Sequence, residues 1–196
     1  MSVTIRAARP ADVRAINRLV EPLTHRNVLL AKDLVSYYES VQEFLVAEDA
    51  TGELVGCGAL HVMWEDLAEV RTLAVHESHR GSGVGHRMLL ALLARAVQLG
   101  LQRVFCLTFE VEFFRRHGFR EMAEQVDPEV YNQLLRSADE GVAEFLDLAR
   151  VKPNTLGNTR MIIELEHALI EDRPGVPSAG ATAPADVMEG EGRSRS

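Results

Sequence analysis

The segment Leu73–His86 constrains this chain more than any other feature of its sequence. It joins an apolar strand candidate, Leu67–Val75, to an amphipathic helix candidate, Val84–Leu99, through a polar stretch with alternating glycines at Gly81–Gly85. The first backbone amides of a helix lack intrahelical partners and carry partial positive charge. Glycines let such a backbone curl around a phosphate without side-chain clashes. The segment is therefore a candidate anion-binding loop.

Two familiar nucleotide-binding loops do not fit this segment. A Walker loop ends in Gly-Lys-Ser/Thr, whereas this one ends in Gly85-His86-Arg87. A dinucleotide fingerprint needs Gly-x-Gly-x-x-Gly directly after a strand, whereas these glycines alternate and follow the polar spacer His76–Arg80. Glycines alone would also suit a flexible connector. The combination of an apolar strand, Arg80-x-x-Gly83-x-Gly85 and a long helix is more specific.

Composition excludes several classes of partner. Lys and Arg number 21 and Asp and Glu 29, so the formal net charge of the 196-residue chain is −8. Nucleic acids and anionic membranes need clustered cations, so neither is an expected partner, although a local positive patch could hold a small anion. Cys57 and Cys106 are too few for a disulfide framework and form no CxxC motif. With no membrane-spanning run and no signal-peptide core, the predicted location is the cytoplasm.

Hydrophobic periodicity divides the folded part into alternating strands and helices. An early hairpin and a later β-α-β unit favour an α+β fold, with a mixed central sheet flanked by helices in three α/β/α layers. The predicted strands are Val3–Ala8, Phe44–Ala47, Leu54–Met63, Leu67–Val75, Arg103–Leu107 and Met161–Leu165. The predicted helices are Pro10–Val20, Lys32–Ser40, Val84–Leu99, Phe113–His117 and Pro128–Ser137.

The chain divides into one predicted domain and a tail. Residues 1–170 carry all the periodic segments. Residues 171–196 are rich in Gly, Pro, Ala and Ser and show neither helical nor strand periodicity, so we expect them to be disordered.

The loop and a second block resemble the GNAT (Gcn5-related) N-acetyltransferases. Arg80–Gly85 fits the family's acetyl-CoA loop, Gln/Arg-x-x-Gly-x-Gly/Ala, and Phe113–Phe119 fits its aromatic-x-x-x-Gly-Phe ending. The resemblance implies a GNAT fold, acetyl-CoA as co-substrate and no metal. It also implies that Gly81–His86 holds the pyrophosphate and that the backbone of Leu73–Val75 pairs with the pantetheine arm. The implied cofactor-binding residues are Leu73, Ala74, Val75, Arg80, Gly81, Ser82, Gly83, Val84, Gly85 and His86.

A closer resemblance is to the short form of the N-acetylglutamate synthase group within that family. It covers residues 3–165 and is carried by Glu43–Glu48, Val55–Val75 and Val151–Leu165. It implies acetyl transfer to the α-amine of L-glutamate or L-glutamine, the first step of arginine biosynthesis. Longer members carry an amino-acid-kinase domain, for which this sequence has no room. Arginine feedback through such a domain is therefore not expected.

The resemblance assigns the base to Glu69. An amine attacks a thioester only when neutral, and an α-ammonium is almost fully protonated near neutral pH, so a base is useful. Glu69 matches the general-base glutamate of the family. It could instead face solvent or pair with Arg71.

The resemblance does not supply the usual proton donor for the departing thiolate. The usual tyrosine position is occupied by Phe114, which has no proton to give. Thr108 matches a hydroxyl residue of the synthase group. It could relay a proton or hydrogen-bond, or be an ordinary strand-end threonine, and the thiolate could also leave unprotonated.

Substrate carboxylates need cations or amide donors. The resemblance points to Lys32, Asn158 and Arg160, with Arg71 as a weaker candidate. Each could instead be a surface charge or a turn residue. The histidines show no shared metal spacing and are interpreted as loop and surface residues.

Two other functions stay open from the sequence. One is a GNAT enzyme acting on a peptide N-terminus or a small-molecule amine. The other is an acyl-CoA sensor without catalysis, which Phe114 would suit. The expected partner in the main hypothesis is a small amino acid, and a homodimer is left open.

Overall fold

A computed structural model of the chain describes residues 3–26, 28–29, 32–122, 128–137 and 158–165, with the side chain of Tyr131 excepted. Its strands form one seven-stranded sheet in the order β1-β2-β3-β4-β5-β7-β6. All neighbours are antiparallel except β4 and β5, which are parallel. The strands are β1 Val3–Ala7, β2 Phe44–Asp49, β3 Leu54–Val62, β4 Leu67–Val75, β5 Arg103–Thr108, β6 Arg120–Glu121 and β7 Thr159–Glu164.

Helices cover both faces of the sheet. One face packs against α1 through Val13, Ile16 and Val20, and the other against α3 through Leu89 and Leu92. The predicted α+β fold with a mixed sheet between helices is therefore confirmed. The helices are α1 Val13–His25, α2 Leu34–Glu39, α3 Val84–Gln98, α4 Val111–Arg115 and α5 Pro128–Leu134, with 3-10 turns at Pro10–Asp12, Val41–Glu43 and Glu77–His79.

The close packing of α3 on the sheet depends on a glycine in β3. A Cβ atom at Gly58 would lie 2.9 Å from Cδ1 of Leu92 and 3.1 Å from Cδ1 of Leu73. Because interiors are packed to crystal-like density, that space is not available to a larger residue without repacking. Gly58 thus sets how near α3, whose first turn follows the glycine loop, can lie to β4.

The sheet opens between its parallel strands. β4 is in register with β5 only over Leu67–Glu69, although β4 continues to Val75 and β5 to Thr108. On its other side β4 pairs with β3, with a register shift between Cys57 and Ala59. Thr72 lies opposite this shift with φ of 57°, an uncommon value for a residue other than glycine that marks a β-bulge. The upper half of β4 therefore borders a cleft.

The predicted boundaries differ from the structure in a few places. The strand β6 was not predicted, because two residues are too short to show a period. The helix α4 begins at Val111 rather than Phe113, since Thr108 and Glu110 close a turn that starts it early. The predicted tail, residues 171–196, lies outside the described residues. No helix in the described part of the chain is long and apolar enough to span a bilayer.

Candidate active site

The cleft between β4 and β5 contains a cavity of about 620 Å³. Its walls come from the upper half of β4, the end of β5, the glycine loop, α4 and the segment that precedes α2. Parallel strands that separate in this way leave backbone groups of β4 directed into the cleft rather than into a ladder. The cavity thus combines an open strand edge with a helix N-terminus.

The glycine loop has the backbone that its sequence predicts. Gly81 and Gly83 have φ of 76° and 83°, in the left-handed region, and Gly83 is the residue that precedes the first turn of α3. A Cβ atom at either position would meet nothing within 4 Å, so backbone conformation rather than space selects glycine there. The loop therefore reaches the N-terminus of α3 through a backbone conformation that other residues rarely adopt.

Most of the predicted cofactor residues line this cavity. Ser82 and Val84 do not: the hydroxyl of Ser82 donates to the carbonyl of His79, at 2.6 Å, and Val84 is buried in the core. The predicted residues that do line it are Leu73, Ala74, Val75, Arg80, Gly81, Gly83, Gly85 and His86.

Glu69 lies inside the cavity and does not face solvent. Only 4% of the residue is exposed, and its Oε2 lies 3.9 Å from Nη1 of Arg71. It stands at the last paired position of β4 and β5, where the cleft begins. A carboxylate is therefore placed in a nearly dry site beside one cation, the kind of environment in which acid–base groups are tuned.

Arg71 belongs to a half-buried charge network that sequence reasoning missed. Its Nη2 donates to Oε2 of Glu43 at 3.0 Å, and Nδ1 of His61 lies 2.9 Å from Oε1 of the same carboxylate. Burial alone would raise the pKa of Glu43, but the hydrogen bond with His61 and the charge of Arg71 outweigh it and hold that pKa below its ordinary value. Glu43 therefore stays ionised and fixes the guanidinium beside Glu69.

This network also connects to α3. A guanidinium nitrogen of Arg95 donates to the backbone carbonyl of Glu43 at 3.3 Å. The only hint in the sequence was that Glu43 opens the synthase-like segment Glu43–Glu48. Residue spacing could not reveal the network, because its members come from a turn and two strands.

Thr108 and Phe114 both line the cavity. Thr108 is 8% exposed, and its hydroxyl oxygen accepts the amide hydrogen of Glu110 at 2.9 Å. Among the described residues, none accepts the hydrogen of this hydroxyl. Phe114 packs edge-on against Phe113 and Phe119, with ring centroids 5.2 Å apart in both pairs. The position at which the resemblance implies a proton-donating tyrosine is thus part of an apolar wall.

The predicted carboxylate-binding residues are only partly brought together. Lys32, Arg71 and Asn158 line the cavity. Arg160 does not: it lies in β7 opposite Leu107, and its carbonyl accepts the amide hydrogen of Met122 at 2.8 Å. Asn158 and Arg160 are two positions apart, and the intervening Thr159 begins β7.

Neither cysteine is poised as a nucleophile. Both are buried, and burial raises the pKa of the Cys57 thiol to about 12. Burial, and then the nearby Glu69 carboxylate, also raise the pKa of Cys106. A thiol is reactive only as thiolate, so these two act as packing residues. Within the described ranges, no cluster of His, Cys, Asp and Glu side chains is arranged to hold a metal ion.

Comparison with known proteins places this geometry in a family. Residues 15–119 match the model of the acetyltransferase (GNAT) family, and the chain belongs to that family. Acetyl-CoA is accordingly its co-substrate, and the cavity between β4 and β5 is where the loop, the strand edge and Glu69 meet.

Individual relatives narrow the comparison. An amino-acid acetyltransferase of Mycobacterium tuberculosis is 55% identical over 164 residues, which are 82% of this chain and 94% of that protein. The crystal structure of Rv2747 from the same organism, in complex with CoA and NLQ, superposes with a TM-score of 0.80 at 54% identity, covering 83% of this chain and 99% of that one.

A more distant neighbour shares the fold. The N-acetylglutamate synthase of Neisseria gonorrhoeae, complexed with coenzyme A and N-acetyl-glutamate, gives a TM-score of 0.68 at 24% identity. The alignment covers 85% of this chain but 36% of that one, so the fold described here corresponds to one part of the longer protein.

Proposed function

We propose that this protein transfers an acetyl group from acetyl-CoA to the α-amine of L-glutamate or L-glutamine, as the first step of arginine biosynthesis. The observation that carries the proposal is the buried carboxylate of Glu69 beside the guanidinium of Arg71, in the same cavity as the glycine loop. The relative from Mycobacterium tuberculosis, an amino-acid acetyltransferase that this chain matches over 94% of its length, supports an amino acid as acceptor.

Glu69 is the proposed base. Its carboxylate takes a proton from the α-ammonium, directly or through a water, and the amine lone pair then forms the new N–C bond at the thioester carbonyl. Backbone amides of β4 near Leu73, which border the cavity, would donate to the oxygen as it becomes negative. The C–S bond breaks as the carbonyl re-forms, and the electron pair leaves on sulfur. The nitrogen, which still carries an extra proton after the attack, gives that proton to the thiolate or to solvent.

The departing CoA thiolate needs a proton to become a thiol. Phe114 has no proton to give. Thr108, at the end of β5, has a hydroxyl and lines the same cavity, so it is the proposed proton relay. Since a hydroxyl is too weak an acid to act alone, Thr108 would pass a proton on rather than supply one. A thiolate can also leave unprotonated and pick up its proton from solvent.

Three cavity residues are proposed to hold the acceptor. Arg71 and Lys32 supply positive charge for carboxylates, and Asn158 supplies an amide that can donate or accept. Arg160 is left out of this set because it does not line the cavity. An amide side chain and a carboxylate differ by one charge, so the balance between Lys32, Arg71 and Glu43 would decide between glutamine and glutamate.

The experiment is a thiol-release assay with acetyl-CoA and a panel of amino acids, peptides and simple amines. We expect turnover with glutamate or glutamine, and Glu69→Gln should lower kcat by about 10²–10⁴-fold, the range for losing a general base. The change keeps the side-chain shape, so binding of CoA should persist. Turnover of peptides but of neither amino acid would contradict the proposed substrate. An unchanged kcat in Glu69→Gln would remove Glu69 as base.

A different result would favour the sensor hypothesis. The apolar wall at Phe114 is the observation that suits a protein that binds acyl-CoA without turning it over. Tight binding of acetyl-CoA with no thiol released from any amine would support it.

A further inference from the structure

Two histidines meet at the loop end of the cavity: His86, one of the predicted cofactor-binding residues, and His117, for which no role was predicted. Nδ1 of His86, in the first turn of α3, lies 2.8 Å from Nε2 of His117, which follows α4. Their ring centroids are 5.0 Å apart, and the ring of Phe113 lies 4.7 Å from that of His117. Both imidazoles line the cavity beside Gly83 and Gly85.

The contacts of His117 fix the tautomers of both rings. Its Nδ1 lies 2.7 Å from the carbonyl oxygen of Phe113, which can only accept, so Nδ1 carries the hydrogen. In the neutral ring Nε2 is then an acceptor, and Nδ1 of His86 must be the donor across the 2.8 Å contact. A neutral His86 consequently presents its Nε2 as a lone pair.

We propose that His86 and His117 form a proton-linked anion clamp: binding of the CoA phosphates is coupled to uptake of a proton by the pair. A proton from solvent bonds to the Nε2 lone pair of His86 and turns it from an acceptor into a cationic donor, with the His86–His117 hydrogen bond kept. A second proton is opposed, because two imidazolium rings would then face each other across that bond.

Neighbouring charges favour this coupling. Like charges on Arg80 and Arg116 oppose a further cation in the empty cavity, and a bound polyanion reverses that balance. Other neighbours are directed elsewhere: Arg87 donates to the carbonyl of Val3 at 3.1 Å, and Arg115 pairs with Glu112 and Glu121. The charged or titratable groups that share the cavity with the pair are Lys32, Glu69, Arg71, His79, Arg80, Glu110 and Arg116.

Linkage sets the sign of the pH dependence. If binding takes up a proton, affinity is highest at low pH and weakens as pH rises through the range in which the pair loses that proton. Complete coupling would weaken the Kd for CoA up to about tenfold per pH unit. Histidine is the side chain suited to this at neutral pH. The inference rests on acetyl-CoA as co-substrate and not on the identity of the acceptor.

The first test is calorimetric titration of the full chain with CoA, without amino acid, in buffers of different ionisation enthalpy at about pH 7.5, where a free imidazole is mostly neutral. We expect net proton uptake by the wild type. His86→Gln removes the Nε2 atom that takes the proton, so most of the uptake should disappear. His25→Gln, an exposed position on α1, is the matched control and should behave as wild type.

Equal uptake by the wild type and His86→Gln would overturn the proposal. Repeating the titration with dephospho-CoA assigns the effect: uptake that persists belongs to the pyrophosphate, and uptake that vanishes belongs to the 3′-phosphate. Because no acceptor is present, failure here would leave the proposed amino-acid specificity untouched.

A second test needs no variant. Nitrogen-15 spectra of the histidine rings should show Nδ1 protonated on both His86 and His117 in the free protein, and His86 as imidazolium in the CoA complex. An Nε2-protonated His117 in the free protein, or a His86 that stays neutral with CoA bound, would contradict the clamp.

Discussion

The two ends of the cavity are built in different ways. The loop end is continuous in sequence between Arg80 and His86, and it contains two left-handed glycines and the N-terminus of α3. The Glu69 end depends on side chains distant in sequence, because Arg71 of β4, which lines the cavity, is held by Glu43 of the turn before β2, and Glu43 in turn contacts His61 of β3. One end is specified by backbone conformation, and the other by contacts among distant residues. Changes at the two ends should therefore alter different kinetic constants.

The largest effect that separates the two ends is expected at Arg71. Arg71→Gln removes the cation that Glu43 holds at 3.0 Å and that lies 3.9 Å from Glu69. Hydrogen bonds to charged groups contribute about 1.5–3 kcal/mol, so kcat/KM for the amino acid should fall by about 10–100-fold. The KM for acetyl-CoA should stay near that of the wild type. Steady-state kinetics with each substrate varied in turn measures both.

The control for Arg71 is another arginine in an ion pair. Arg6, in the edge strand β1, bridges Asp12 and Glu48 at 2.7 and 2.8 Å and does not line the cavity. Arg6→Gln should leave both kinetic constants unchanged. Glu43→Gln should lower kcat/KM for the amino acid by less than Arg71→Gln, because the amide oxygen still accepts from the guanidinium. An equal rise in the KM for acetyl-CoA in these variants would mean that the two ends are not independent.

A smaller effect is expected at Gly83, on the KM for acetyl-CoA rather than on kcat/KM for the amino acid. Alanine at φ of 83° costs about 1–2 kcal/mol, so Gly83→Ala should displace the loop and raise the KM for acetyl-CoA about tenfold. Its kcat at saturating acetyl-CoA should change little. The measurement is again steady-state kinetics, with thermal unfolding recorded in parallel.

Gly100 offers a matched control for this strain. It follows α3 with φ of 79°, and a Cβ atom there would likewise meet nothing within 4 Å, but it does not line the cavity. Gly100→Ala should lower the free energy of unfolding by a similar amount and leave both KM values alone. If it raised the KM for acetyl-CoA as much as Gly83→Ala does, the loop effect would be global destabilisation rather than lost binding.

The same contrast explains what sequence could predict. The loop was predictable because its chemistry lies in adjacent residues whose types follow from backbone geometry, as Gly81 and Gly83 confirm. The strands β3 and β4 were predictable within one residue from their apolar runs. The role of His61 as a partner of Glu43 was not, because nothing in the spacing of residues 43, 61 and 71 shows that strand register brings them together. Tertiary contacts between side chains leave no periodic pattern in the sequence, unlike helices and strands.

The smallest change in kcat is expected at Phe114, which belongs to neither the glycine loop nor the Glu43 network. Phe114→Tyr would add a hydroxyl to the apolar wall, at the position where the sequence pattern of the family usually has a tyrosine. Phe114 is 5% exposed and packs edge-on against Phe113 and Phe119. The ring should therefore keep its position in the variant, and these contacts should fix the position of the new hydroxyl.

We expect kcat for Phe114→Tyr to change less than about threefold, since one hydrogen bond to a leaving thiolate is within the range of about 0.5–1.5 kcal/mol and part of it is offset by desolvation of the hydroxyl. The pH–rate profile is the sharper measurement. If thiolate departure limits the wild type, the variant should be faster and acquire an alkaline limb as the tyrosine ionises. An increase well above threefold would show that the missing acid, and not the base Glu69, sets the rate in this enzyme.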